Sequence, residues 1–163
     1  MSANITRNLA GKVALVTGGS RGIGAAIAKR LATDSAAVAL TYSASPAKAD
    51  EVARSIKAAG GKALVIKADA ADTEAVRLAI AKTIGAFGGI DILVNNAGVG
   101  IIAPIEQFSL EDFDKLIAVN VRRLFVATQE AARHMREGGR IIHIGSTNSE
   151  VAAEQPEAGA RAG

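Results

Sequence analysis

The octapeptide Thr17-Gly18-Gly19-Ser20-Arg21-Gly22-Ile23-Gly24 joins two segments of different periodicity. Before it, Lys12-Val13-Ala14-Leu15-Val16 is a nearly unbroken apolar run, the signature of a strand buried on both faces of a parallel sheet. After it, Ile23 to Leu31 is rich in Ala and Ile and carries Lys29 and Arg30 near its end, where cations suit a helix C-terminus. Glycines at such a strand-to-helix turn let backbone N–H groups come close to an anion. The helix N-terminus adds unpaired donors and a partial positive charge. Two readings fit the cluster by itself: a tight turn, or a cradle for the pyrophosphate of a dinucleotide.

The rest of the chain favours the cradle, because strands and helices alternate along it. Ala36–Tyr42 reads as a second strand. Pro46 suits the first turn of a helix running to about Ala59, stopped by Gly60-Gly61. Lys62–Ile66 is a third strand, and Asp72 is placed to cap a helix reaching Phe87, stopped by Gly88-Gly89. Ile90–Val94 is a fourth strand; a loop with Pro104, a long helix from about Ser109 to Arg136 and a fifth strand, Arg140–Gly145, follow. Met1 to Gly11 is a polar lead-in without a clear period. The expected fold class is α/β, a Rossmann-type doubly wound parallel sheet in the order 3-2-1-4-5. Right-handed crossovers put ligands at the carboxyl ends of the strands near the switch point. With 163 residues, 49% of them hydrophobic and three prolines, the chain has enough apolar material for one buried core.

Composition also removes several functions. The net charge of +3 is dispersed, and no aromatic residues are interleaved with basic ones as a base-stacking surface requires, so nucleic acid is not an expected partner. There is no cysteine, hence no disulfide framework, thiol nucleophile or cysteine metal site, and no metal is expected. No apolar run is long enough to span a bilayer and no signal-peptide core is visible, so the default expectation is a cytoplasmic protein without a membrane partner.

The T-G-x-x-x-G-x-G spacing, with glycines at 18, 22 and 24, together with Asn95-Asn96-Ala97-Gly98 after the fourth strand, resembles the short-chain dehydrogenase/reductase family. That family comprises nicotinamide-dependent oxidoreductases acting on small carbonyl or alcohol substrates. The expected cofactor-binding residues are Gly18, Ser20, Arg21, Gly22, Ile23 and Gly24 of the turn, Tyr42 at the end of strand two, Asp69 and Ala70 after strand three, and Asn96, Ala97 and Gly98. The end of strand two bears on the choice of nucleotide. An acid there would bond the ribose 2′-hydroxyl of NAD, but no Asp or Glu occurs between Ser35 and Pro46, and Tyr42 stands in that place. Arg21 can meet a 2′-phosphate, so NADP is expected over NAD; Arg21 as a solvated loop cation is the alternative. The resemblance implies that Asp69 reaches the adenine ring, whereas the residue alone reads equally as a turn acid capping local amides.

Phe113, Leu116, Ile117, Val121, Leu124, Phe125 and Met135 form an apolar stripe at helical spacing, and Asn120 falls on it. A buried amide must find partners, so Asn120 reads as a satisfied core residue. The resemblance gives it a sharper role, supporting a proton-relay water. His143, among isoleucines, reads as a satisfied core histidine and His134 as a helix-terminal surface residue. The 109–136 helix is also the expected surface for a homo-oligomer.

Ile144-Gly145-Ser146 resembles the family segment whose serine orients the substrate carbonyl, making Ser146 and Asn120 the expected catalytic residues. The family acid is a Tyr helped by a Lys four residues on. At family spacing these fall at Gly159 and Gly163, and the only tyrosine is Tyr42. From Val151 onward large apolar residues vanish, so residues 150–163 are expected to form a disordered tail behind a domain spanning 1–149. The shift suits a reading-frame change or an early stop. The chain is then a C-terminally truncated member, missing later strands and helices and leaving strand five as an exposed edge. Two functions follow: an NADP-dependent oxidoreductase lineage impaired in catalysis, or a non-catalytic nucleotide-binding or oligomerisation module.

Overall fold

The apolar runs become strands because β-branched and aliphatic residues pack on a pleated surface, buried on both faces at the centre of the sheet and increasingly exposed towards its two ends. In the computed structural model, which describes residues 9–145, they are β1 Val13–Val16, β2 Ala37–Tyr42, β3 Lys62–Lys67, β4 Ile90–Asn95 and β5 Met135–His143. All pair in parallel, in the order β3-β2-β1-β4-β5. This is the expected order. Residues 1–8 and the segment from Ser146 onward, including the tail, lie outside the described residues.

The helices are α1 Gly22–Thr33, α2 Pro46–Ala58, α3 Thr73–Phe87, α4 Leu110–Ile117 and α5 Arg123–His134. Alternation along each strand sorts them into two layers. Ala14, Val16, Val38, Leu40, Ile92 and Val94 pack with Ala28 of α1 and with Ala49, Val52 and Ile56 of α2. Leu15, Ala39 and Leu93 point the other way, against Val76, Ala79 and Ile80 of α3 and Val126, Ala127 and Ala131 of α5. Each buried Leu or Ile contributes roughly 1.5–3 kcal/mol. The doubly wound sandwich thus holds β1 rigidly at its centre. Asp72 caps α3, its Oδ1 accepting from the backbone N–H groups of Glu74 at 2.9 Å and Ala75 at 3.3 Å. Because the strands run in parallel, Thr17, Tyr42 and Asn95 emerge along one edge of the sheet.

The segment expected to form one helix over 109–136 differs. A π turn, Ala118–Arg122, separates α4 from α5, and α5 ends at His134, where β5 begins. The pairing of β5 with β4 shifts between Ile90 and Ile92, because Arg136–Gly139 loops out before Arg140 resumes register. The apolar stripe also faces differently. Phe113, Val121 and Phe125 are 51%, 55% and 60% exposed, whereas Val119, Arg123, Val126, Ala127 and Ala131 are buried. A helix lying close on a sheet and on α3 meets them through small side chains, so the bulky residues that dominate a sequence pattern are left on the outer face. His143 is not a core residue: it is exposed on the edge strand, with Nδ1 3.2 Å from the Asn95 amide nitrogen. His134 is a surface residue at the end of α5, beside Glu130 at 3.2 Å.

Candidate functional site

Beyond Val16, the backbone of β1 continues through Thr17, whose N–H donates to the Val94 carbonyl at 3.0 Å. The chain then turns, suspended from β2: the Gly18 N–H donates to Thr41 Oγ1 at 3.0 Å and the Gly19 N–H to the Thr41 carbonyl at 2.9 Å. Gly18 and Gly22 have φ of +66° and +53°, the left-handed region that L side chains avoid. Space excludes side chains as well. A Cβ on Gly18 would lie 3.0 Å from the Ala97 Cα, and one on Gly24 would run into the Gly18 carbonyl and the Asn96 amide. At Gly22 there is open space within 4 Å of the Cβ position. The turn is therefore closed on its protein side and open on the other.

Asn96 ties the loop after β4 to this turn, its Nδ2 donating to the carbonyls of Thr17 at 3.0 Å and Gly18 at 3.1 Å. Thr17 is the hub. Its buried hydroxyl donates to the Val94 carbonyl and accepts from the N–H groups of Asn96 at 3.0 Å and Ala97 at 3.1 Å and from Arg123 Nη1 at 2.9 Å. Arg123 is 3% exposed, and burial pulls its guanidinium below its ordinary pKa. The paired arginines 122 and 123 carried no sign of which enters the core; only the helix phase after the π turn decides it.

A cleft opens beside the hub. Gly18, Tyr42, Asp69, Ala70 and Ala97 line it together with Thr17 and Arg123. Five of the expected cofactor residues thus share one wall, although they come from four separate segments. Asp69 is exposed and also accepts from the Ala71 N–H at 2.9 Å, so the turn-acid geometry and a place on the cleft coexist. Ser20 is half-buried, and Arg21, Gly22 and Ile23 are exposed on the open side of the turn. The helix behind them begins without a side-chain cap and without an acid in its first turn, unlike α3, so its leading N–H groups stay available to an anion. A closed-backed turn, uncapped donors and an adjacent cleft fit a dinucleotide.

Asn120 sits in the π turn. Its Oδ1 accepts from the Val99 N–H at 3.0 Å and its Nδ2 donates to the Val99 carbonyl at 2.8 Å, a closed pair that fixes the loop after β4. Gly98 leaves room for it, since a Cβ there would lie 3.2 Å from Asn120 Oδ1. Asn96, Ala97, Gly98 and Asn120 are thereby brought together. Asn120 is half-buried, with its amide satisfied. Ser146 lies outside the described residues; β5 leads towards it, the Ile144 N–H donating to the Asn95 carbonyl at 3.0 Å. Thr17, Thr41 and Arg123 are the site residues that sequence reasoning passed over.

Comparison with known proteins places this geometry in context. A sequence model of the family described as short chain dehydrogenase matches residues 12–158. An uncharacterised oxidoreductase of Methylorubrum extorquens is 48% identical over 143 residues, covering 88% of this chain and 58% of its own length. Among solved structures, a short-chain dehydrogenase/reductase from Serratia marcescens is 60% identical with a TM-score of 0.86, covering 88% of this chain and 58% of that one. A short-chain dehydrogenase from Burkholderia cenocepacia, solved in complex with NADP, is 53% identical with a TM-score of 0.87, covering 89% and 59%. The chain spans somewhat under three fifths of the length of these proteins. Among the described residues no helix is long and apolar enough to cross a membrane.

Proposed function

The chain belongs to the short-chain dehydrogenase family, and from that premise we propose that residues 1–149 act as one dinucleotide-binding domain that holds NADP for carbonyl–alcohol interconversion on a small molecule. One observation carries this reading: the Thr17–Gly24 turn, closed behind by Asn96 and Ala97 and open at Gly22. NADPH, when bound, supplies a hydride from its nicotinamide ring. The protein's part is to bind and orient. The N–H groups of the turn and of α1 would hold the pyrophosphate, Asp69 and Ala70 would meet the adenine end, and Arg21 would pair with the 2′-phosphate in the absence of an acid at Tyr42. Ser20, Ile23, Asn96, Ala97 and Gly98 would line the path between them. NADP in the Burkholderia relative supports this choice of nucleotide.

Ser146 would orient the substrate carbonyl, and Asn120, by fixing the Val99 loop, would support a proton-relay water. The impairment is inferred from residue type: at family spacing the Tyr and Lys positions fall on Gly159 and Gly163, and Tyr42, the one tyrosine of the sequence, lines the cleft. On this reading the chain binds NADPH with little or no turnover. Following NADPH oxidation with a panel of ketones tests both halves. The expected result is saturable NADPH binding with oxidation at background; brisk oxidation abolished by Ser146→Ala would overturn the impairment. A second reading, a non-catalytic module that pairs with a like chain, rests on the outward row Phe113, Val121 and Phe125. Sedimentation of the wild type separates the two: a monomer at tens of micromolar removes it.

A further inference from the structure

Arg123 is the one strongly basic side chain of the described residues that is almost wholly buried. Its guanidinium meets only neutral acceptors: the Val119 carbonyl from Nε at 3.0 Å, Thr17 Oγ1 from Nη1 at 2.9 Å, Asn95 Oδ1 from Nη1 at 3.4 Å, and the Ala97 carbonyl from Nη2. Among the described residues it enters no ion pair. A charge taken out of water without a carboxylate is costly, and hydrogen bonds to neutral oxygens offset only part of that cost. A brace between α5 and the β1 turn does not itself need a charge, since every acceptor that the guanidinium meets is a neutral oxygen. Arg123, moreover, lines the cleft beside Thr17, Gly18 and Asp69.

Resting on the nucleotide reading above, we propose that Arg123 is a positioning residue whose buried, uncompensated charge selects an anionic dinucleotide at the glycine turn. In the free protein the guanidinium holds Thr17 and Ala97 in place and leaves a positive potential beneath the turn. The diphosphate of the dinucleotide, arriving above it in a site of low polarisability, supplies the missing counter-charge. Arg123 shares its cleft with Asp69 and Ala70, so its charge adds more to affinity for the phosphates than to affinity for the neutral nucleoside.

The test compares NADPH, titrated by fluorescence, with adenosine, titrated by ligand-observed NMR, on the wild type and on Arg123→Met, Arg123→Gln and Arg123→Lys. Met and Gln both remove the bonds to Thr17 and Ala97 along with the charge, whereas Lys keeps a charge on a long stem, so the ratio of the two affinities rather than either affinity alone separates the charge from the brace. The neutral variants are expected to lose about tenfold or more in NADPH affinity, the effect of removing one weakly screened unit charge, while adenosine affinity stays within threefold. Lys, which keeps a charge, is expected to restore the ratio of the two affinities. Equal losses for NADPH and adenosine in the neutral variants, or no loss for either, would overturn the role of Arg123 while leaving the nucleotide reading intact. Failure of the wild type to bind NADPH would remove the nucleotide reading itself.

Discussion

Gly24 and Thr17 hold the same turn by opposite means, one by having no side chain and the other by having a hydroxyl that four groups use. Gly24→Ala forces a methyl into the Gly18 carbonyl and the Asn96 amide. It is expected to cost roughly 1–3 kcal/mol, as overpacking does, and to abolish NADPH binding; chemical denaturation and titration check the two effects. Thr17→Val preserves shape but leaves the Asn96 and Ala97 N–H groups and Arg123 without their shared acceptor. An expected loss of about 1–3 kcal/mol for each buried donor left unpaired would show as a sharp fall in melting temperature, and Thr17→Ser should recover most of it. Sequence reading found the glycines because backbone freedom is written in residue type. It passed over Thr17 and Arg123 because their importance lies in partners 26 to 106 residues away.

Among the elements, β1 to β4 and the cap at Asp72 could be read directly, since an apolar run or an acid ahead of a helix acts locally, whereas β5 starts at Met135, five residues before the expected Arg140 and inside the expected helix. Asp72→Ala should therefore destabilise by about 1 kcal/mol without touching nucleotide affinity, a pairing that calorimetry and titration can confirm. The segment over 109–136 was less legible. Nothing in Ala118-Val119-Asn120-Val121-Arg122 announces a π turn, which is selected by the tertiary closure of Asn120 on Val99. Asn120→Ala should release that loop, seen as faster amide exchange at Val99, with the π turn relaxing towards regular helix. The outer face of α4 and α5 makes its own prediction: if Phe113, Val121 and Phe125 hold a second chain, Phe125→Glu converts a dimer to a monomer without altering NADPH affinity.

At the scale of the molecule, the doubly wound sheet gathers residues from the ends of β1, β2, β3 and β4 along one edge. This is why strand order located the expected cleft, while the residues expected to line it came from the glycine spacing and the family resemblance. His143 shows the limit of that reasoning. An isoleucine-flanked position looks buried in sequence, yet β5 is the end strand of the sheet among the described residues, with Ile142 and Ile144 at 44% and 37% exposure. Whether a residue is covered depends on what lies beyond its own strand, which its neighbours in sequence do not record. The turn between β1 and α1 is proposed to cradle the phosphates, and backbone amide NMR during titration with NADPH tests this most directly. Shifts concentrated at Gly18–Gly24, Asp69–Ala70 and Asn96–Gly98, and weaker with NADH, are the predicted result; saturation without movement of the Gly18–Gly24 amides would contradict it.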